Sequence, residues 1–122
     1  MKLVYYFMSF QNKLKIYHWH TFSYARHKAS DALFDDISDQ IDKFMESYIG
    51  IYSRAKTISN SQLLPALDTL SDKSAVKLLS DFRMFLSKDL PAYVSPKDTD
   101  LLTIRDEMML SVDKALYLFT LK

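Results

Sequence analysis

The sequence predicts an all-α fold, a four-helix bundle with one long crossover connection, and three observations carry that prediction. Apolar residues recur at intervals of three and four in four stretches of the chain. One Gly and three Pro in 122 residues leave little to interrupt helices, whereas short strands joined by tight turns need more of both. A mixed polar stretch, Ile51 to Ser71, separates the second periodic segment from the third and is long enough to cross a bundle.

The first helix is placed at about 2–21, where Leu3, Phe7, Phe10, Leu14 and Tyr17 follow a 4-3-4-3 spacing. Thr21 and Ser23 supply an end and a cap, because a hydroxyl there accepts from the free N–H groups of the next turn. The second helix, about 24–49, has Ala25, Leu33, Ile37, Ile41, Phe44 and Tyr48 on one face. Gly50 follows Ile49 and reads as the left-handed residue that closes it. Within the connection, Leu63, Leu64, Leu67 and Leu70 suit a short helix with Pro65 in its first turn.

Ser71 or Asp72 caps a third helix, about 72–89, with Val76, Leu79, Phe82, Phe85 and Leu86 inward. Pro91 and Pro96 bound a loop. A fourth helix, about 98–120, turns Leu101, Ile104, Met108, Val112, Leu116 and Phe119 inward. Two helices, a crossing link and two more helices is the order of ferritin-like folds.

Composition bounds the rest. An apolar content of 48% and a charged content of 25% suit a single helical-bundle domain over residues 1–122. The absence of Cys excludes disulfides and thiolate metal sites, and fits a cytoplasmic protein. No apolar run approaches the roughly 18 residues of a membrane span, and Leu3–Met8 lacks the pattern of a signal peptide, so no membrane partner is expected. Net charge is +1 with no basic tail, which argues against nucleic acid as a partner.

Chemistry concentrates in the first half. All three histidines lie between 18 and 27, two of them in the triplet His18-Trp19-His20. Six of the sixteen residues from Asp31 to Glu46 are acidic, and Lys43 is the lone cation among them. His27, Asp31, Asp42 and Glu46 stand as His-x3-Asp-x10-Asp-x3-Glu, which on one continuous helix falls within roughly 100° of arc. Nitrogen and carboxylate ligands on one face are what a non-haem iron, manganese or zinc site requires. His18 adds a second imidazole, with His20 as its substitute if the first helix ends early. Asp35, Asp36 and Asp39 read as solvated, with Asp35 and Asp39 able to draw cations in. Trp19 reads as a packing residue, Met108 and Met109 as core. Tyr5, Tyr6, Tyr17, Tyr24 and Tyr48 suit a subunit interface or the core equally. No nucleophile–base pair, Gly-rich phosphate loop or zinc-protease motif is present, so no catalytic side chain is assigned.

His18-Trp19, Ser23-Tyr24-Ala25-Arg26-His27-Lys28-Ala29 and Tyr48-Ile49-Gly50 resemble the small ferritin-like proteins of phages and large algal viruses. More distantly, the His-Trp pair and the spaced acids resemble the iron site of the DNA-protection proteins of starved bacteria, the Dps family. The resemblance covers residues 18–50. It implies that His18, His27 and Asp31 of one subunit meet Asp42 and Glu46 of its mate across a two-fold axis. It further implies a homodimer or larger symmetric oligomer that binds iron and oxidises Fe²⁺ with oxygen or peroxide, with manganese or zinc as surrogates. The sequence departs from the Dps pattern in the nine-residue separation of its histidines, its shortness and its lack of a lysine-rich tail. A structural or interaction module without metal, virus-encoded, is the alternative. DNA compaction is a third reading, opposed by the charge.

Overall fold

The computed structural model describes residues 2–54 and 71–122, and the short helix expected at 63–70 lies outside them. The described residues form α1 (Lys2–His20), α2 (Tyr24–Tyr52), α3 (Asp72–Met84) and α4 (Thr99–Leu118). A π-helical turn, Phe85–Asp89, and a 3-10 turn, Leu90–Tyr93, extend α3. No strand occurs among the described residues, so the all-α reading and its four helices stand.

Caps start the helices where hydroxyls allow. Ser23 Oγ accepts from Arg26 N–H at 3.2 Å, and Ser71 Oγ from Ser74 N–H at 3.2 Å. Three details correct the sequence reading. Gly50 does not close α2, since no glycine has positive φ and the helix runs on to Tyr52. Ser53 carries the positive φ, 88°, and its N–H donates to Ile49 O at 2.9 Å. Tyr52 explains the extension: its ring lies 4.8 Å from that of Tyr48, and its hydroxyl bonds Asp98. Those contacts outweigh the roughly 0.5–1 kcal/mol that a helical glycine costs.

Val76 points outward, 38% exposed, and Ala75 takes its place in the core. The Ser71 cap sets the phase of α3 so that Ala75, Leu79 and Phe82 share the inner face. Pro91 sits within the 3-10 turn rather than at the edge of a loop. It cannot donate to the carbonyl four residues back and its ring crowds that position. The chain meets this constraint by widening into the π turn before it. That turn buries Phe85 and Leu86 side by side.

Contacts between helices give their directions. Thr21–Ser23 joins α1 to α2 as an antiparallel pair. Phe10 stacks on Phe82, and Tyr17 OH donates to Asp72 at 2.7 Å, so α3 starts at the α1–α2 turn and runs antiparallel to α1. Tyr52 meets Asp98 while Arg26 lies 4.8 Å from the Phe119 ring, so α4 runs antiparallel to α2. Residues 54 and 71 therefore stand at opposite ends of the bundle. The core is strongly aromatic: the Phe10 and Phe82 centroids are 3.8 Å apart, and Phe7 meets Phe44 edge-on at 5.5 Å.

A polar clamp closes the turn end. Asp72 accepts from the hydroxyls of Tyr17 and Thr21, while Arg26 donates to Tyr17 OH and to the Asp72 carbonyl. The Tyr17 hydroxyl bond, aided by Thr21 and the Arg26 charge, holds the Asp72 carboxyl below its ordinary range. Burial pushes the Tyr17 phenol up. One residue, Asp72, thus ties together α1 and the turn through its carboxylate and α2 through its carbonyl at the start of α3.

Candidate metal centre

The three-residue turn is short enough to bring the last turn of α1 against the first turns of α2, and there the two histidines meet. Their rings stack with centroids 3.9 Å apart and planes 18° from parallel. The bonding is reciprocal. His18 Nδ1 lies 2.8 Å from His27 O, and His27 Nδ1 lies 2.9 Å from His18 O. A carbonyl oxygen only accepts, so both Nδ1 atoms carry a proton, and the neutral form of each ring is the tautomer with its lone pair on Nε2. His18 O belongs to the last turn of α1, where carbonyls lack helical partners, and the His27 ring supplies one.

Ser30, which the sequence reading missed, completes the arrangement. It is fully buried; its Oγ donates to His27 O at 3.1 Å and lies 3.2 Å from His18 Nδ1. Its signal was present in the sequence: a hydroxyl three residues after His27, on the apolar face of α2. Asp31 follows one turn after His27, and its Oδ1 lies 3.9 Å from His18 Nε2. The His18 side chain is 9% exposed and that of Asp31 is 50% exposed, so the contact joins a buried imidazole to a half-exposed carboxylate.

Of the five residues singled out from the sequence, the structure pairs His18 with His27 and, separately, sets Asp31 3.9 Å from His18. Asp42 and Glu46 are exposed on the same helix, and Asp42 lies roughly 16 Å beyond Asp31 at a rise of about 1.5 Å per residue. Among the described residues, no three His, Asp or Glu side chains of one chain lie close enough to hold a metal ion. His20 is exposed, and the imidazole that meets His27 is that of His18. Trp19 is not a packing residue: 67% of it is exposed, with Lys15 Nζ 5.9 Å from its ring. Tyr17 and Tyr48 belong to the core, as does Met108, while Tyr24 is 73% exposed.

No helix among the described residues is long and apolar enough to cross a membrane. The chain is 42% identical, over 64 residues, to an uncharacterized 14.6 kDa protein of the mobD-ri intergenic region of Enterobacteria phage T4. That alignment takes in 47% of this chain and 50% of the phage protein, so the chain spans about half the length of its relative. No solved structure matches. The family model described as "Family of unknown function (DUF5856)" matches residues 18–119, from the first histidine of the pair to the end of α4, and the chain belongs to that family.

Proposed function

We propose that the chain is a ferritin-like, Dps-like protein whose paired histidines and Asp31 bind iron together with Asp42 and Glu46 of a second copy, and that Fe²⁺ is oxidised there. The observation that carries this reading is the reciprocal bonding of His18 and His27. Metal-ligating histidines typically donate one ring N–H to a carbonyl or carboxylate, which fixes the tautomer and presents the other nitrogen. Here both rings meet that condition, with both Nδ1 protons committed to carbonyls. Around a tetrahedral or octahedral cation bonded to both, the 3.9 Å between His18 Nε2 and Asp31 Oδ1 would have to close to about 3.0–3.4 Å, since metal–nitrogen and metal–oxygen bonds are each about 2.0–2.2 Å; a rotation of the half-exposed Asp31 side chain would suffice. The helix order, with neighbours antiparallel and residues 54 and 71 at opposite ends, supports a ferritin-like bundle.

The spacing along α2 supports a two-fold mate. Asp31 and Asp42 are equidistant from the point between residues 36 and 37, and so are His27 and Glu46. An antiparallel α2–α2 pair centred at that point would set Asp31 against the mate's Asp42 and His27 against its Glu46. Phe34 and Met45, half-buried, and the exposed Met8 give such a contact apolar surface. The same pairing gathers carboxylates of both copies, which repel until a cation lies between them. Dimerisation is therefore expected to depend on metal.

Chemically, iron is the substrate. Each Fe²⁺ gives up one electron to oxygen or peroxide, and carboxylates favour the ferric product as hard oxygen ligands. Sedimentation with and without Fe²⁺ kept anaerobic, or Co²⁺ as a spectroscopic surrogate, tests the reading. Metal should shift the chain toward dimer and should raise its melting temperature. A chain whose mass and melting point ignore metal at millimolar concentration would leave the second reading. In that reading the histidine pair is a staple for the α1–α2 turn in a metal-free interaction module, which the lack of a three-ligand cluster among the described residues favours.

A further inference from the structure

The least expected side chain in the molecule is Phe22. It occupies the middle of the three-residue turn at the apex of the bundle and is fully exposed, at 104%. Turns normally take polar or small residues at such positions. The backbone on either side is held firmly. Thr21 N–H donates to Tyr17 O at 3.0 Å, and Ser23 N–H donates to Thr21 Oγ at 3.1 Å. Phe22 is thus presented outward on a fixed turn. Trp19 and Tyr24 flank it, 67% and 73% exposed, and Leu121 at the end of α4 adds an apolar side chain that is 46% exposed.

The charges at this end are one-sided. Lys28, Lys73 and Lys122 are exposed there, and Arg26 is half-buried. Among the described residues at this end, the carboxylate is that of Asp72, already engaged by Tyr17 and Thr21. Lys15 and Lys28 lie 5.9 Å and 5.7 Å from the rings of Trp19 and Tyr24. The acidic run begins at Asp31 and extends away from the tip.

We propose that this end of the bundle docks on the surface of an anionic lipid bilayer, with Phe22 inserted among the acyl chains near the headgroups. Trp and Tyr would then lie at the headgroup level, where amphipathic rings partition, and the lysines would meet lipid phosphates. Charge complementarity commits the site to an anionic partner, and the apex position of Phe22 favours a bilayer over a nucleic acid. Strand-binding platforms stack bases on rings along a basic groove, whereas this ring stands fully exposed on a turn. The docking does not rest on the metal reading, because none of Phe22, Trp19, Tyr24 and Lys28 is among the ligands proposed there.

Trp19 is the chain's one tryptophan, so its fluorescence reports the tip directly. The full chain should show a blue shift with vesicles of mixed phosphatidylcholine and phosphatidylglycerol, and little with phosphatidylcholine alone. Phe22→Ser should lower the partition coefficient by about tenfold or more. Lys28→Glu should lower it by about fivefold or more and weaken its dependence on salt. Both side chains are exposed, so far-UV circular dichroism should match the wild type. If one variant loses helicity, the other decides. An unchanged spectrum with anionic vesicles, or an equal shift in Phe22→Ser, would overturn the proposal. So would a blue shift produced by protein concentration alone, which would assign the tip to a second copy. Retention of single-stranded DNA without vesicle binding would assign it to nucleic acid.

Discussion

The α1–α2 pair and the α3–α4 pair are built from the same apolar periodicity but close differently. A three-residue turn joins the first pair, and imidazoles cross-bonded to carbonyls hold it. The second pair is joined through a π turn and a 3-10 turn, and an ordinary ion pair, Arg83 with Asp113, and a hydrogen bond from the Arg105 guanidinium to Leu86 O at 3.1 Å hold it. Exposed ion pairs such as Arg83–Asp113 contribute little, typically below about 1 kcal/mol. The second pair thus supplies the wall of the core, and the first supplies the wall together with the histidine pair. A bundle can load its polar constellation onto one antiparallel pair when the other needs only to cover it.

Two substitutions should separate these roles, and the first has the largest expected effect on stability. Phe82→Ala removes a buried ring of α3 that stacks on Phe10. It should cost about 3–5 kcal/mol in urea unfolding, yet leave the metal affinity of the folded protein within about twofold, because additivity holds for sites without shared partners. His27→Ala should do the reverse. Metal affinity should fall by at least about 100-fold, since losing merely a hydrogen-bond partner of a ligand costs about 10–100-fold, while unfolding free energy drops by about 1 kcal/mol for the lost bond to His18 O. Metal binding should also weaken as pH falls, because a protonated imidazole cannot ligate. If Phe82→Ala and His27→Ala changed both quantities in parallel, the division of labour between the pairs would be wrong.

The clamp where the two pairs meet allows a finer test. Tyr17→Phe keeps the buried ring and removes the hydroxyl that donates to Asp72, which should cost about 1 kcal/mol at neutral pH. The pH dependence follows from the shifts. The Asp72 carboxyl is depressed below its ordinary 3.8, chiefly by the Tyr17 hydroxyl bond. Its contribution is therefore present above that value and is lost as pH falls through the lower folded-state value. The Tyr17 phenol is raised above 10.0 by burial. Its contribution is complete below that value and is lost as pH rises through the higher folded one. The melting difference between wild type and Tyr17→Phe should thus hold from pH 5 to 9 and narrow toward pH 3. A difference that stays constant to pH 3 would show that Asp72 gains nothing from the hydroxyl.

Helix positions were legible because period and caps agree locally. Leu3, Phe7, Phe10, Leu14 and Tyr17 are all buried, and Ser23 and Ser71 both cap. What failed was set by contacts across the fold. Gly50 lies inside α2 because Tyr52 reaches Asp98, a residue 46 positions away. The meeting of His18 with His27 follows from a short turn, which the sequence displays. The buried face of Ser30 is readable from its spacing with Leu33, Ile37 and Ile41, but the carbonyl partners of both rings depend on how the two helices pack, and spacing does not encode that. Trp19 was misread because it lies one residue beyond His18, where the apolar stripe has already rotated out to solvent. Asp42 and Glu46 share a helix with Asp31, and the rise of that helix keeps them from its site within one chain.

The smallest expected effect sharpens the comparison at the far end of α2, where the first pair hands the chain on. Gly50 is exposed, helical and without positive φ, and a Cβ built there meets nothing within 4 Å. Gly50→Ala should therefore stabilise the chain, by reducing the freedom of the unfolded state. The gain should be about 0.5 kcal/mol, below the full helix-interior value because only two helical residues follow. In a chain of this length that corresponds to a rise of about 1–4 °C in melting temperature. The alternative is equally sharp. Were Gly50 the left-handed end of the helix, alanine would be forced into positive φ and would destabilise by about 1 kcal/mol. The sign of one melting-point shift therefore decides whether α2 ends at the glycine or is carried past it by Tyr52 and its hold on the start of α4.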